Sequence, residues 1–212
     1  MIGIIGAGGH AKVIKEILEM TQNKHDFLFF SSVPFETTFG KYNMYPDRLE
    51  NILKLSTNID HWHVAIGNTT IRKEKIELIK SHNLSLMSIL HPGSIISQNS
   101  SIGIGSSVMA GSVINTHTTI GENCIINTSS SIDHDCNIAD HVNIGPGSHL
   151  AGNVSVGEQS DLGAGTIVIP NKKIGKYCII GAGSVVISDI PDNSVAVGVP
   201  ARIISKNEYF PN

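Results

Sequence analysis

Every sixth residue from Leu90 to Val186 is leucine, isoleucine or valine, without a single polar exception. A six-residue period matches neither an amphipathic α-helix nor the alternation of a half-buried strand. It is typical of a parallel β-helix, in which short strands wind around a narrow aliphatic core. Three hexapeptides make one triangular coil, so residues 18 apart stack at about 4.8 Å from each other. Residues 90–190 are therefore predicted to form five to six coils without an inserted loop.

The position four residues after each apolar residue holds a small side chain over most of the same region. It is mainly serine, threonine, valine or cysteine, and it includes all three cysteines, Cys124, Cys136 and Cys178. This regular placement predicts that the thiols pack inside the repeat and do not act as nucleophiles. The absence of C-x-x-C spacing argues against a disulfide framework or a zinc knuckle.

Residues 1–86 lack the hexapeptide period and alternate strands with helices. The first twenty residues read as a short apolar strand, a glycine-rich turn and an amphipathic helix. Further strands are predicted at His25–Phe30 and His61–Gly67, and a helix over Thr69–His82 with Thr69 as its N-cap.

These patterns predict the fold class and the domain boundaries. We expect an α/β Rossmann-like N-terminal domain over residues 1–86, followed by an all-β parallel β-helix of hexapeptide repeats over residues 87–190. Residues 191–212 are expected to close the helix as a C-terminal segment.

The glycine-rich turn contains Gly6, Gly8, Gly9 and His10, with G-x-G-x-x-A spacing between a strand and a helix. Glycines allow a ligand to approach the backbone closely, and the free N–H groups at the start of the helix attract phosphate. The motif alone is weak, because tight strand-to-helix turns also occur without a ligand.

The end of the second predicted strand narrows the choice of ligand. Dinucleotide sites usually carry an acidic residue there, whereas this chain has Ser31 and Ser32. The pyrophosphate of a sugar nucleotide therefore fits the turn better than NAD. Without the usual acid, the identity of the nucleotide stays open.

Composition and charge exclude other classes. The formal net charge is −3 and basic residues form no long runs, which argues against a nucleic-acid partner. No segment approaches the roughly 18–20 apolar residues of a membrane span, and no cleavable signal pattern opens the chain. We expect a cytoplasmic protein without a membrane partner.

The glycine turn GxGGHAKV, the uninterrupted hexapeptides and the segment Ser194–Ile204 together resemble the NeuD/PglD-like sugar acetyltransferases over the whole chain. The resemblance implies a left-handed β-helix and acetyl transfer from acetyl-CoA, without a metal. The acceptor would be the 4-amino group of a nucleotide-linked 4,6-dideoxy sugar, or a hydroxyl of sialic acid. It also implies a homotrimer, with acetyl-CoA lying along the β-helix between two subunits and the N-terminal unit holding the sugar nucleotide.

The family pattern I-[DE]-H-[DE]-C falls on Ile132–Cys136. It implies that His134 is the general base and that Asp135 fixes its tautomer and stabilises the imidazolium. The repeat adds an independent argument, because Gly152 lies 18 residues after His134 and could offer its N–H to the thioester oxygen.

The resemblance implies further contacts on the β-helix. It assigns Ala164 and Ala182 to acetyl-CoA and Asn127 to the sugar. Asn143 occupies the position of a second family histidine and is assigned to acetyl-CoA, but it cannot exchange a proton.

Three other histidines of the β-helix lie outside the family pattern. His117 could pair with Asp135 one coil later, either to orient the acid or as a surface hydrogen bond. His141 and His149 are expected to be solvated.

The pattern allows three alternatives to an amino-sugar N-acetyltransferase to be compared with it. A sialic acid O-acetyltransferase would use the same fold and base. A zinc enzyme of the γ-carbonic anhydrase type needs two histidines five residues apart, a spacing that the predicted β-helix lacks. A non-catalytic β-helix is the third, since coils alone define architecture and not chemistry.

Overall fold

The computed structural model describes residues 1–21, 26–32 and 42–207. The chain divides into two compact units, Met1–Ile89 and Leu90–Asn212. The fold class expected from the sequence is confirmed, with a small α/β unit followed by a left-handed parallel β-helix.

The N-terminal unit is a four-stranded parallel sheet in the order β3-β2-β1-β4. Its largest fully buried side chains include Trp62, Arg72 and Phe30. The strands are β1 (Ile2–Ile5), β2 (Phe27–Ser31), β3 (Met44–Pro46) and β4 (His61–Val64), and the helices are α1 (Gly9–Thr21), α2 (Leu49–Ser56) and α3 (Thr69–Ser81). All four carboxyl ends of these strands therefore lie at one edge of the sheet.

Two local expectations need correction, and one cannot be assessed. The N-cap of α3 is Asn68, whose side chain accepts a hydrogen bond from the N–H of Ile71, so Thr69 is already helical. β4 ends at Val64 instead of Gly67, because the chain turns there towards α3. The start of the expected strand at His25 lies outside the described residues.

The C-terminal unit is a β-helix of two-residue strands, and each strand up to Ile167–Val168 pairs in parallel with the strand 18 residues further on. Three sheets form its faces. Face 1 contains β6 (Ile95–Ile96), β9 (Val113–Ile114), β12 (Ser131–Ile132), β15 (His149–Leu150), β18 (Ile167–Val168) and β21 (Val185–Val186). Face 2 contains β7 (Ser101–Ile102), β10 (Thr119–Ile120), β13 (Asn137–Ile138), β16 (Ser155–Val156) and β19 (Lys173–Ile174). Face 3 contains β5 (Ile89–Leu90), β8 (Ser107–Val108), β11 (Ile125–Ile126), β14 (Asn143–Ile144), β17 (Asp161–Leu162) and β20 (Ile179–Ile180), and continues into the closing hairpin of β22 (Ser194–Val197) and β23 (Arg202–Lys206).

The predicted core is confirmed along most of the helix. The sixth-position residue is the second residue of every strand from β5 to β21, and from Val108 onward it is buried. At the first coil Leu90 is 42% exposed. Cys124, Cys136 and Cys178 are buried thiols in the small-residue position, as expected.

The corners of the β-helix share a left-handed backbone conformation that no sequence pattern predicts. Three residues after each apolar position, from 105 to 183, the backbone adopts a left-handed conformation, with φ between 54° and 76°. We name the corner between faces 1 and 2 the first corner, that between faces 2 and 3 the second, and that between faces 3 and 1 the third. Across the described ranges, no helix is long and apolar enough to cross a bilayer.

Candidate active site

His134 lies at the first corner, in the turn between β12 and β13. Its Nδ1 is 2.8 Å from Oδ2 of Asp135, and both side chains are more than half exposed. Asp135 occupies the left-handed corner position with φ 58°. Because Nδ1 faces the carboxylate, Nε2 is the nitrogen available to take a proton.

Asp133 holds the other side of this turn. Its Oδ1 accepts hydrogen bonds from the backbone N–H of His134 at 2.8 Å and from Nδ2 of Asn115, one coil earlier, at 2.9 Å. The hydrogen bond from the His134 N–H, followed by that from Asn115, lowers the pKa of Asp133. Sequence reasoning missed this supporting pair, although the 18-residue spacing of Asn115 and Asp133 could have shown it.

Gly152 stacks on His134, as the repeat predicts. The N–H of Asn153 donates to the His134 carbonyl at 2.9 Å, which fixes the register of the two turns. A Cβ at position 152 would lie 2.6 Å from both Cε1 and Nε2 of the imidazole. In the described part of the chain, the Gly152 N–H donates to no acceptor. A proton acceptor and a free backbone donor therefore lie side by side.

The electrostatic environment favours the protonated imidazole. The hydrogen bond to Asp135 raises the pKa of His134 above its usual value, partial desolvation opposes this, and the charges of Asp133 and Asp135 add to the increase. The group can thus accept a proton at neutral pH and hold it as an imidazolium beside two carboxylates.

Ala164 and Ala182 lie at the third corner, not at the corner of His134. Both are exposed, and neither backbone N–H has a hydrogen-bond acceptor among the residues that the structure describes. The left-handed positions of the neighbouring turns are Gly147, Gly165 and Gly183. The backbone of this corner is consequently accessible, and face 1 separates it from His134 within one chain.

Asn143 and Asn127 also lie away from the first corner. Asn143 belongs to β14 on face 3, where its Nδ2 donates to Asp161 at 2.8 Å and its buried Oδ1 has no hydrogen-bond partner among the residues described. Asn127 lies at the third corner, where its side chain accepts from the N–H of Thr128 at 2.8 Å.

A second cleft, of about 390 Å³, opens at the carboxyl edge of the N-terminal sheet. It brings together all six predicted residues of that unit: Gly6, Gly8, Gly9, His10, Ser31 and Ser32. Gly6 has φ 124°, and a Cβ there would lie 2.5 Å from the carbonyl oxygen of Ala65, so the turn requires glycine. Gly9 and His10, which begin α1, line this cleft, and the first N–H groups of a helix have no intrahelical acceptors. Asp47, which follows β3, also lines the cleft and was missed from the sequence.

Buried basic groups lie behind the glycine turn. Arg72 is 1% exposed and donates to the carbonyls of Ile66 and Gly67, which precede α3. Burial, with the charges of His63 and Arg72, lowers the pKa of His10 to about 3. Burial likewise lowers the pKa of His63 to about 4, despite its hydrogen bond to the Met87 carbonyl. Both imidazoles are therefore neutral at physiological pH.

The remaining histidines of the β-helix differ from expectation in one case. His141 is buried, not solvated, because it occupies the left-handed position of the second corner and its Nδ1 lies 2.8 Å from Nδ2 of Asn123. His149 is exposed, as expected, and contacts Ser131. His117 is exposed, and the described contacts pair Asp135 with His134 and not with His117. No three histidine, cysteine or acidic side chains in the described ranges are grouped as metal ligands.

Comparison with protein families and curated proteins gives two matches. Residues 1–79 match the family model described as the PglD N-terminal domain. The chain is also 37% identical over 110 residues to the UDP-N-acetylbacillosamine N-acetyltransferase of Bacillus subtilis (strain 168). That match covers 51% of this chain and 50% of the relative, so it spans half the length of this curated protein.

Solved structures match over almost the whole chain. A histidine-to-asparagine variant of perosamine N-acetyltransferase from Caulobacter crescentus, solved with CoA and GDP-perosamine, is 37% identical with a TM-score of 0.90 and 97% coverage of both chains. The acetyltransferase domain of PglB from Neisseria gonorrhoeae FA1090, solved with acetyl coenzyme A, is 32% identical. Its TM-score is 0.90, and the match covers 96% of this chain and 98% of that domain.

Proposed function

The chain belongs to the PglD-like sugar acetyltransferases, and from this premise we propose that it transfers the acetyl group of acetyl-CoA to the 4-amino group of a nucleotide-linked 4-amino-4,6-dideoxy sugar. The observation that carries the proposal is the imidazole of His134, which is held by Asp135 and lies against Gly152, a residue whose N–H donates to no acceptor in the described ranges. A base next to a backbone donor is the pair that aminolysis of a thioester requires.

The proposed reaction is a direct attack. The amine nitrogen forms a bond to the thioester carbonyl carbon while Nε2 of His134 takes the proton of the amine. The resulting oxyanion accepts a hydrogen bond from the Gly152 N–H. The C–S bond then breaks, and the imidazolium returns its proton to the departing CoA thiolate. Asp135 keeps Nδ1 protonated and stabilises the imidazolium throughout.

We assign the third corner to the CoA arm. Ala164 and Ala182 are exposed, and their N–H groups donate to no acceptor in the part of the chain that the structure describes. The adjacent glycines leave space for an extended chain. Pantetheine carries amide carbonyls that such N–H groups can bind. We also assign Asn143 to acetyl-CoA, because it occupies the position of a second histidine in the family pattern.

We assign the cleft of the N-terminal unit to the sugar nucleotide. Gly6, Gly8, Gly9 and His10 would hold the pyrophosphate at the start of α1, and Ser31 and Ser32 would face the nucleoside. Asn127 is proposed to contact the sugar itself.

A homotrimer is part of the proposal. His134 lies on an open corner, so a second copy is needed to enclose the reacting atoms and exclude water. Face 1 presents Ile95 and Ile167 at 67% and 44% exposure, an apolar surface suited to burial between subunits. A cytoplasmic location is proposed because acetyl-CoA and nucleotide sugars are consumed there.

The test is a thiol-release assay with acetyl-CoA and a panel of acceptors. The panel contains UDP-, dTDP- and GDP-linked 4-amino-4,6-dideoxy sugars, CMP-sialic acid and free sialic acid. We expect turnover on an amino sugar, reduced by about 10²- to 10⁴-fold in His134→Ala. Turnover on the sialic acids alone would move the assignment to O-acetylation. Full activity of His134→Ala would remove the role of this residue, and silence across the panel would refute the acceptor class.

A further inference from the structure

Asp47 lies in the cleft of the N-terminal unit, where the pairing of β3 with β2 brings it next to Ser31. β3 pairs with β2 so that Pro46 is opposite Ser31, and the N–H of Asp47 donates to the Ser31 carbonyl at 3.2 Å. Asp47 therefore extends β3 past the end of β2 at the carboxyl edge of the sheet. It is the one acidic residue among the described residues that line the cleft.

The Asp47 side chain is held in place from several directions. Oδ2 is 2.7 Å from Nζ of Lys75, which projects from α3, and the carboxylate side chain is only 11% exposed. The preceding turn is fixed by Nδ2 of Asn51, which donates to the Pro46 carbonyl at 3.0 Å. Oδ1 accepts no hydrogen bond in the described part of the structure. The carboxylate is thus rigid, with an oxygen available to a ligand.

We propose that Asp47 recognises the nucleotide by accepting hydrogen bonds from its ribose hydroxyls, an inference that rests on the proposed function. Phosphates held at the start of α1 direct the adjoining ribose along the carboxyl edge towards β2. In dinucleotide-binding folds, an acidic residue at the end of the second strand binds the ribose 2′-hydroxyl. Here Ser31 and Ser32 occupy that place, and the neighbouring strand β3 supplies the acid to the same cleft.

The carboxylate makes the site selective for ligand groups that donate hydrogen bonds. Asp47 forms an ion pair with Lys75 through Oδ2, and the oxygens of a carboxylate only accept hydrogen bonds. A ribose meets this requirement with its hydroxyls. A 2′-deoxyribose leaves an oxygen of this largely buried carboxylate without a donor, which is costly. The protein therefore binds ribonucleotides more tightly than 2′-deoxyribonucleotides, and dTDP-linked sugars are poor substrates.

The experiment is calorimetric titration with free nucleoside diphosphates, which needs no turnover. Wild type, Asp47→Asn and the control Glu50→Gln, an exposed acid on α2, are each titrated with UDP, 2′-deoxy-UDP, GDP and 2′-deoxy-GDP. In wild type and Glu50→Gln, each ribonucleotide should bind about 10-fold or more tightly than its deoxy counterpart. In Asp47→Asn that ratio should fall to about one-third of its wild-type value or less.

Each other result overturns the inference. Equal binding of ribo and deoxy forms by wild type does so without any variant, so the test survives misfolding of Asp47→Asn. Discrimination retained in Asp47→Asn assigns the hydroxyls to another residue. A preference set by the base, with no effect of the 2′-hydroxyl, places the nucleobase at Asp47. In all three cases amino-sugar turnover in the thiol-release assay leaves the proposed function standing, whereas no nucleotide binding and no turnover refute both.

Discussion

The imidazole of His134 lies against the α-carbon of Gly152, one coil further along the β-helix. The space above position 152 that any other residue would fill with a Cβ is taken by the ring, with 2.6 Å between that Cβ site and Nε2. The glycine therefore has two roles, since it makes room for the imidazole and its own N–H donates to no acceptor within the described residues. This relationship makes position 152 a sensitive test of the proposed mechanism.

Gly152→Ala should reduce kcat by about 100-fold, because the added methyl group displaces the imidazole by roughly 1 Å from its productive position. The backbone at 152 is not in the left-handed region, so the coil should keep its thermal stability. Steady-state kinetics and a melting curve measure the two effects.

The double variant shows whether the effect acts through His134. On a His134→Ala background the methyl group has no ring to displace, so Gly152→Ala should cost little more. Additive losses in the two variants would contradict the contact that the structure shows.

The pH profile tests the Asp135 carboxylate. Since its hydrogen bond raises the pKa of His134, Asp135→Asn should lower that pKa and shift the acidic limb of kcat/KM to lower pH. The plateau should also fall by at least about 10-fold, because the imidazolium loses its charged partner. Asp140→Asn, an exposed acid at the second corner, is the control and should leave the limb in place. An unshifted limb in Asp135→Asn would mean that another group controls the profile.

The sequence predicted the β-helix well and its corners poorly, for a physical reason. The core position accepts only aliphatic side chains, so Ile132 and its equivalents give a visible period. The left-handed position three residues later is filled by residues as different as Gly165, His141 and Tyr177, so no pattern shows it. The burial of His141 follows from stacking on Asn123 at this position, which composition cannot reveal.

The same distinction applies to the two candidate sites. The contact between His134 and Gly152 could be predicted from the sequence, because residues 18 apart in this repeat are neighbours in space. Asp47 could not be joined to Ser31, because the pairing of β3 with β2 is a property of the folded sheet.

The free energy of unfolding of the N-terminal unit should fall steeply with decreasing pH, because two of its histidines are buried in the neutral form. Burial holds the pKa of His63 at about 4 and that of His10 at about 3, whereas in the unfolded chain a histidine titrates near 6.5. Below about pH 6.5 these histidines bind protons in the unfolded state but not in the folded state. Their contribution to the free energy of unfolding is therefore fully present above this pH and is lost as the pH falls towards 4. Each histidine contributes about 1.4 kcal/mol per pH unit in this window.

The fluorescence of Trp62 measures this loss in the N-terminal unit alone. It is the single tryptophan of the chain, is fully buried and precedes His63 in β4. His63→Asn, which can keep a donor towards the Met87 carbonyl, should halve the pH slope of the unfolding free energy. His61→Asn, at the exposed end of the same strand, should not change it. An unaltered slope in His63→Asn would show that this imidazole is protonated in the folded state.

Proline substitution can remove the proposed CoA contacts one N–H at a time. Pro146 occupies the slot of Ala164 one coil earlier, so the backbone there is compatible with proline and the coil should remain folded. Ala164→Pro and Ala182→Pro should each raise the KM for acetyl-CoA by about 3- to 10-fold, the value of one lost hydrogen bond, with a smaller effect on the KM of the sugar nucleotide. Ile104→Pro, in the same slot of the second corner, should change neither constant. An unchanged KM for acetyl-CoA in both Ala164→Pro and Ala182→Pro would show that the CoA arm does not bind at the third corner.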